Sequence, residues 1–329
     1  MILEASDQNI AQAAELIRSG DVVGFPTETV YGLGASAFDP LGVEKIFALK
    51  GRVRSNPLIV HVKDLGDLLR LSARLSKTQQ ALVDKLSSFW PGPLTVVLRC
   101  RENSGITPAV TAGGDTIALR IPSHPVAQKL LSLTEIPLAA PSANRSLYVS
   151  PTCAEHVASC FGDSLSIVLD GGSCEVGIES TVVSLVESPI RLLRPGSVTL
   201  EQLRSAVGEV EYRLPPLQEH QKQTLLSPGM LSRHYSPQTP LLWYSEEVLQ
   251  SLAGKRVGII RFSDHGVYPA SAVVIETLSS TGKPQEIAHR LYAALRKLDS
   301  LDLDVILIPE IGRDGLGLAL YDRTRRAVS

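Results

Sequence analysis

One stretch of the chain, residues 22–62, constrains the fold more than any other. A short apolar run at 22–25 stops at Pro26, which cannot donate a ladder hydrogen bond, and this pattern is typical of a buried strand. A segment rich in glycine and hydroxyl side chains follows, and we expect Gly32 and Gly34 to let the backbone pass close to a bound group. Asp39-Pro40 predicts a helix start, and the apolar residues 58–60 predict another strand. This order of elements predicts an α/β fold.

Three basic residues lie between that helix and the second strand: Lys50, Arg52 and Arg54. Cations are favoured at a helix C-terminus, so the cluster alone is consistent with either a solvated face or an anion site. The hydroxyl-rich residues 27–31 and His61 lie next to it in the predicted fold. Because such polar groups need a ligand or one another, the neighbourhood favours an anion site.

Composition and charge narrow the function. The chain has 329 residues, 44% of them hydrophobic and 20% charged, which is typical of a globular protein of about two domains. The 32 basic and 34 acidic residues give a net charge of −2, so a general coat for DNA or RNA is disfavoured. Four cysteines show no metal-binding spacing, and no leader or membrane-spanning run is visible, so we expect a cytoplasmic protein with no membrane contact.

Later strands carry further polar candidates. The apolar run 136–140 places Ser142 and Asn144 just after a strand, where ligand loops gather in open α/β sheets. Arg120 lies in the predicted strand 117–121 among apolar neighbours and therefore needs an anionic partner. That partner is either a structural carboxylate or the carboxylate of a substrate, and the sequence leaves both open.

The pattern divides the chain in two. Residues 1–213 form the first domain, the polar, proline-containing residues 214–240 a linker, and residues 241–329 a second domain. In the second domain, strand-like runs at 256–260, 273–275 and 304–308 alternate with a helix at 284–298. This alternation predicts a small parallel sheet.

Several of these motifs resemble the YrdC/Sua5 family of threonylcarbamoyl-AMP synthases. They are residues 26–34 (PTETVYGLG), 50–52 (KGR) and 141–144 (PSAN), and residues 227–237 are similar to the interdomain segment of the two-domain Sua5 branch. The resemblance implies a YrdC-like twisted mixed sheet with helices on both sides, followed by a small Rossmann-like C-terminal α/β domain. It also implies that the linker covers the site as a lid.

The resemblance implies an activity and a set of site residues. L-Threonine, bicarbonate and ATP with Mg²⁺ would give threonylcarbamoyl-AMP and pyrophosphate, and the product would pass to the downstream tRNA threonylcarbamoyltransferase machinery for the t6A37 modification of tRNA. The residues implied for threonine are Thr27, His61, Arg120, Ala140 and Ser180. Those implied for ATP are Lys50, Arg52, Arg54, Thr116, Ser142, Asn144, Ser150, Arg194 and Arg233, with Lys50 and Arg52 also acting in catalysis. The metal ligands stay unassigned, and no stable nucleic-acid binding is required.

Two other functions compete for the same residues. Residues 32–37 match the dinucleotide fingerprint formally, but they do not follow the strand directly, and Arg52 and Arg54 lie about where an acidic residue would bind ribose. A Rossmann oxidoreductase is therefore disfavoured. The stronger alternative is a non-catalytic RNA-binding protein that uses the same basic concave surface, against which the near-neutral net charge argues.

Overall fold

The first domain is built on one large mixed sheet. A computed structural model describes residues 1–214, 234–264 and 274–328 of the chain. Within these residues, eleven strands form the first sheet in the order β1-β8-β2-β3-β7-β4-β6-β5-β9-β10-β11. They are β1 (Ile2–Glu4), β2 (Val23–Phe25), β3 (Gly32–Ser36), β4 (Ile59–His61), β5 (Leu94–Arg99), β6 (Thr116–Arg120), β7 (Leu138–Ala139), β8 (Ile167–Asp170), β9 (Thr181–Ser184), β10 (Ile190–Arg194) and β11 (Val210–Glu211). Parallel and antiparallel neighbours alternate irregularly, which confirms the predicted mixed sheet.

Helices cover this sheet and begin where the sequence places capping residues. They are α1 (Asp7–Arg18), α2 (Pro40–Lys50), α3 (Leu65–Leu71), α4 (Lys77–Leu86), α5 (Pro125–Thr134), α6 (Ala154–Phe161) and α7 (Leu200–Val207). Asp39 caps α2 by accepting hydrogen bonds from the backbone N–H groups of Leu41 and Gly42, with proline in the first turn as predicted. The helix ends at Gly51, whose φ of 61° is the left-handed conformation that glycine adopts without strain.

Side-chain alternation along the strands gives the sheet two buried faces. On one face, Val60 and Leu119 pack in a core with α2, α3, α4, α6 and α7. On the other, Phe25 and Leu138 pack against α1 and α5. The predicted arrangement with helices on both sides is confirmed. Further along this second face, Ile59 and Ala118 form a small cluster with no helix residue in it, and this part of the face carries the site described below.

One expectation in the first domain is only partly met. Residues 32–36 are not a loop but the buried strand β3, antiparallel to β2, although Gly32 does line the cavity described below. A side-chain carbon at Gly34 would lie 2.6 Å from the ring of Phe25, and one at Gly32 would lie 3.1 Å from it. The glycines therefore make room for a core aromatic ring, which a sequence pattern alone does not distinguish from room for a ligand.

The second domain has a parallel sheet of its own, as predicted. Its order is β12-β15-β13-β14, and every pairing is parallel. The strands are β12 (Leu241–Trp243), β13 (Val257–Arg261), β14 (Val274–Thr277) and β15 (Val305–Ile308), and the helices are α8 (Glu246–Ser251), α9 (Pro284–Asp299) and α10 (Leu316–Ala327). The sequence did not lead us to expect α10. No described helix is long and apolar enough to cross a membrane.

The two domains share an apolar interface. Val30, Val149 and Ile178 of the first domain pack in one cluster with residues of α9 and α10. At Gly177 the backbones touch so closely that a side-chain carbon would lie 2.4 Å from the carbonyl oxygen of Ala288. This contact brings α9 and α10 against the loop that precedes β9.

Candidate active site

A small cavity with charged and hydroxyl side chains in its wall lies on the helix-free part of the sheet. Its volume is about 50 Å³, and eight of the predicted site residues line it: Thr27, Arg52, His61, Arg120, Ala140, Ser142, Ser180 and Arg194. The sheet itself brings two of them together, because β4 and β6 run parallel with His61 directly opposite Arg120. A single cavity therefore collects residues that are spread from position 27 to position 194 of the chain.

Two hydroxyl groups of the cavity, those of Thr27 and Ser180, are already held by the protein. Thr27 Oγ1 donates to the carbonyl of Val30 at 2.6 Å, which closes the turn between β2 and β3. Ser180 Oγ lies 2.8 Å from Thr95 Oγ1 and accepts a hydrogen bond from Arg194 at 3.0 Å. These contacts orient the hydroxyls before any ligand binds, and such preorganisation lowers the entropic cost of binding.

Arg120 has a structural partner. Its guanidinium forms an ion pair with Glu28 at 2.7 Å, and both side chains are only 5% exposed. The Glu28 carboxylate also accepts from the backbone N–H of Ser123 at 3.1 Å. Arg120 lines the cavity whereas Glu28 does not, so the ion pair lies behind the cavity wall. The structure thus supplies the carboxylate that the sequence left open, and it leaves Arg120 at the cavity surface.

Burial changes the protonation of the cavity residues. Burial, together with the nearby Arg120 charge, lowers the pKa of His61 to about 3, so the imidazole is neutral at physiological pH. Burial and the neighbouring Arg194 lower the pKa of Arg52 to about 9, which still leaves this guanidinium protonated. The cavity wall therefore carries three cationic arginines, Arg52, Arg120 and Arg194, around a neutral histidine.

Residues not singled out from the sequence also line the cavity: Glu179, His234 and Tyr235. Burial alone would raise the pKa of Glu179, but the charges of Arg323 and Arg194 outweigh it and lower the pKa to about 2. Glu179 precedes the predicted Ser180, and His234 and Tyr235 lie in the segment that resembles the Sua5 linker. Their positions in these two motifs were the only sequence signals that could have identified them.

Five of the predicted residues do not line the cavity: Lys50, Arg54, Thr116, Asn144 and Ser150. Lys50 is buried, and its Nζ donates to the carbonyls of Ser142 at 2.5 Å and Asn144 at 2.6 Å. Burial, and then the charge of Arg52, lower its pKa well below the usual value. Lys50 therefore holds the loop that carries Ser142.

The other four have separate places. Arg54 is exposed and pairs with Glu44, and Thr116 begins β6, at the opposite end of the strand from Arg120. Asn144 Nδ2 donates to the carbonyls of Arg145 and Tyr148, and Ser150 Oγ donates to Glu179 at 2.5 Å. The predicted Arg233 lies outside the described residues. The basic cluster 50–54 is thus divided, with only Arg52 at the cavity.

A larger cleft of about 860 Å³ lies between the loop 145–148, α6 and α9. None of the predicted site residues lines it. The chemistry is therefore assigned to the smaller cavity, where the charged and hydroxyl groups converge.

The fold and the cavity define the class of protein. The sheet is twisted and mixed, and one cavity on it holds three arginines, a neutral histidine and preoriented hydroxyls. This is the architecture of an α/β protein that binds small anionic ligands. Comparison with known proteins then identifies the family. A family model described as "Telomere recombination" matches residues 15–196, and one described as "Threonylcarbamoyl-AMP synthase, C-terminal domain" matches residues 198–329. The chain belongs to the Sua5/YrdC family of threonylcarbamoyl-AMP synthases.

Relatives match over nearly the whole chain. The threonylcarbamoyl-AMP synthase of Pyrococcus abyssi is 42% identical over 96% of this chain and 92% of its own length. The one from Bacillus subtilis is 40% identical over 99% of this chain and 94% of its own. The crystal structure of P. abyssi Sua5 complexed with L-threonine superimposes with a TM-score of 0.88 at 39% identity, covering 99% of this chain and 97% of that one.

Proposed function

We propose that this protein is an L-threonylcarbamoyladenylate synthase, which makes threonylcarbamoyl-AMP, pyrophosphate and water from L-threonine, bicarbonate and ATP. The observation that carries the proposal is the convergence of Arg52, Arg120 and Arg194 with Thr27, His61 and Ser180 in one cavity. The reaction joins anions, and a cavity with three cationic side chains favours their approach.

The threonine pocket is formed by Thr27, His61, Arg120, Ala140 and Ser180. Arg120 is held from behind by Glu28 and can bind the threonine carboxylate with its planar guanidinium. A neutral His61 can orient the substrate by hydrogen bonding, but it is not an effective general base because its pKa is about 3. The proton that leaves the threonine amine on carbamate formation is therefore not assigned to His61.

The nucleotide half of the cavity includes Arg52, Ser142 and Arg194. In the adenylation step an oxygen of the N-carboxy group attacks the α-phosphorus of ATP, and the bond from that phosphorus to the leaving pyrophosphate breaks. The residues supply charge stabilisation and positioning rather than a covalent nucleophile. Arg52 and Arg194 remain cationic and can compensate the charge that develops on the phosphate oxygens.

Mg²⁺ enters this proposal with ATP. Among the described residues, no group of three or more His, Cys, Asp or Glu side chains is arranged to hold a metal ion. We therefore expect the cation to be bound mainly through phosphate oxygens, where it would reduce the charge of the triphosphate.

The cavity in this conformation is too small for ATP. A volume of about 50 Å³ has room for only a few water molecules and not for ATP. His234 and Tyr235, in the predicted linker 214–240, line the cavity and are both buried. Binding of ATP therefore requires the cavity to enlarge, and displacement of these two residues would enlarge it, in keeping with a role of the linker as a lid. We place the enzyme in the cytoplasm, where its product would pass to the tRNA threonylcarbamoyltransferase machinery.

The proposal is tested by measuring pyrophosphate release from ATP and Mg²⁺, with L-threonine and bicarbonate each present or omitted. We expect release that requires both, and a product with the mass of threonylcarbamoyl-AMP. D-Threonine is the matched control, because its groups have the mirror-image arrangement and cannot all bind the preoriented side chains of the site at once.

Folded protein that releases no pyrophosphate under these conditions, but binds RNA in a salt-sensitive way, would refute the proposal in favour of the RNA-binding alternative. The burial of Arg120 and Arg194 argues against that alternative, since phosphate-backbone binding requires exposed cations.

A further inference from the structure

The C-terminal domain places one arginine against the wall of the cavity. Arg323 on α10 has a side-chain exposure of 0%, and its Nε donates to Glu179 at 2.8 Å. Its other guanidinium nitrogens donate to the Pro195 carbonyl at 3.0 Å and to Asp322 at 2.9 Å. A residue near the end of the second domain is therefore fixed both to the loop that carries Ser180 and to Pro195, which directly follows Arg194 at the end of β10.

Glu179 is held from several sides. One carboxylate oxygen accepts from Ser150 at 2.5 Å, and the other accepts from Tyr292 on α9 at 3.0 Å in addition to Arg323. Glu179 is also the one acidic residue that lines the described part of the cavity. Its negative charge faces the same space as Arg52 and Arg194.

A buried carboxylate in a cavity for anions opposes ligand binding unless its charge is compensated. Arg323 provides that compensation without occupying the cavity, since it does not line it. The same guanidinium lies 5.2 Å from the ring centre of Tyr235, and Tyr235 stacks on Tyr292 at 5.8 Å. Arg323 thus touches both the acidic residue of the cavity and one of the residues that cover it.

We propose that Arg323 is a positioning residue for the nucleotide site: it neutralises Glu179 and fixes the Glu179 carboxylate at the cavity wall. In this way the C-terminal domain completes the site of the first domain. This inference rests on the proposed function, because it takes the ligand to be the triphosphate of ATP. Glu179 itself is an anchor that orients Ser150 and the arginine, and it is not a base.

The test is the affinity for ATP with Mg²⁺, measured by calorimetry on the full chain. Arg323→Met removes the direct ion-pair partner of Glu179 and leaves Arg194 as the nearby cation, so we expect the Kd for ATP to rise at least tenfold. The double variant Arg323→Met/Glu179→Gln removes both charges, and we expect its Kd to return to within threefold of wild type. Arg313→Met, an exposed arginine of the same domain, is the matched control and should bind like wild type.

Rescue by the second substitution separates a charge effect from general damage. A Kd for Arg323→Met within twofold of wild type would overturn the inference, and so would a double variant as weak as the single one. If Arg323→Met does not fold, Glu179→Gln alone decides: ATP should bind at least as tightly as to wild type, and weaker binding overturns the inference. Wild-type protein that binds no ATP would instead refute the proposed function.

Discussion

Removing the Arg120 guanidinium should damage stability and threonine binding by two separable routes. The Arg120–Glu28 pair is 2.7 Å long with both side chains 5% exposed, so Arg120→Ala leaves a buried carboxylate without its counter-charge. Breaking a buried pair in this way costs about 3–5 kcal/mol. For a domain of this size, each kcal/mol corresponds to about 2–4 °C in melting temperature. We therefore expect the melting temperature of Arg120→Ala to fall by about 6–20 °C.

The double variant Arg120→Met/Glu28→Gln separates the two effects. It removes both charges, and the amide oxygen introduced at position 28 can still accept the hydrogen bond from the backbone N–H of Ser123. We therefore expect the double variant to recover at least half of the decrease in melting temperature seen in Arg120→Ala. Threonine binding should not return, because the group that faces its carboxylate is absent. A lost hydrogen bond to a charged group is worth about 1.5–3 kcal/mol, which corresponds to a Kd for threonine that is about 10 to 150 times higher.

Thermal unfolding and titration with L-threonine measure the two quantities on the same samples. Arg120→Ala that melts within 2 °C of wild type would refute the argument from the buried pair. A double variant that binds threonine like wild type would refute the role of Arg120 as the carboxylate clamp. Pyrophosphate release alone would not separate these outcomes, since an unfolded and a binding-deficient variant are equally inactive.

Three further changes test other parts of the structure. Lys50→Met removes two hydrogen bonds to backbone carbonyls and should lower the free energy of unfolding, measured by denaturant titration, by about 2–4 kcal/mol. The control is Lys45→Met at an exposed position of the same helix, whose free energy of unfolding should lie within about 0.5 kcal/mol of the wild-type value. His61 has a pKa of about 3 in the folded protein and an ordinary pKa of about 6.5 in the unfolded chain, so its contribution to stability is present above about pH 6.5 and is lost as the pH falls toward 3. His61→Gln should therefore show a smaller drop in melting temperature between pH 7 and pH 4 than wild type. A drop equal to that of wild type would contradict this. Gly177→Ala places a side-chain carbon within 2.4 Å of the Ala288 carbonyl oxygen and should push the two domains apart. We expect faster limited proteolysis between the domains and lower activity. Gly172→Ala, which has a similar φ of 82° but no atom within 4 Å, controls for backbone strain and should leave proteolysis unchanged.

Local features of the fold could be predicted because their causes are local. The Asp39-Pro40 start of α2 and its end at Gly51 follow from capping and from φ preferences within a few residues. Three of the four second-domain strands, β13, β14 and β15, and the helix α9 follow from apolar runs and helical spacing, whereas β12 was not predicted. Strand β3 could not be predicted in this way, because the ring that requires Gly32 and Gly34 belongs to Phe25 on the paired strand. The helix α10 was missed because its buried face contains charged residues, including Asp322 and Arg323, which pair only in the folded protein.

The candidate site shows the same division. Eight of the predicted residues line one cavity, and they were assigned from the resemblance to the family rather than from sequence patterns alone. Lys50, Arg52 and Arg54 are close together in the chain, but the end of α2 sends Lys50 inward to two carbonyls, Arg52 to the cavity and Arg54 outward to Glu44. Neighbours along a chain point in different directions at a helix end, so their separate roles depend on what packs against each.

By itself, the sequence determined the strands and helices of an α/β protein, because composition, capping and strand patterns act over short distances, and its resemblance to a family implied the arginines and hydroxyls of the site. The tertiary structure decided which charges face each other. Only the folded chain shows that Arg120 is backed by Glu28, at a sequence separation of 92, and that Glu179 is neutralised by Arg323, at a separation of 144. A buried charge is stable only beside its partner, and that partner is selected by the packing of whole domains rather than by any neighbouring residue.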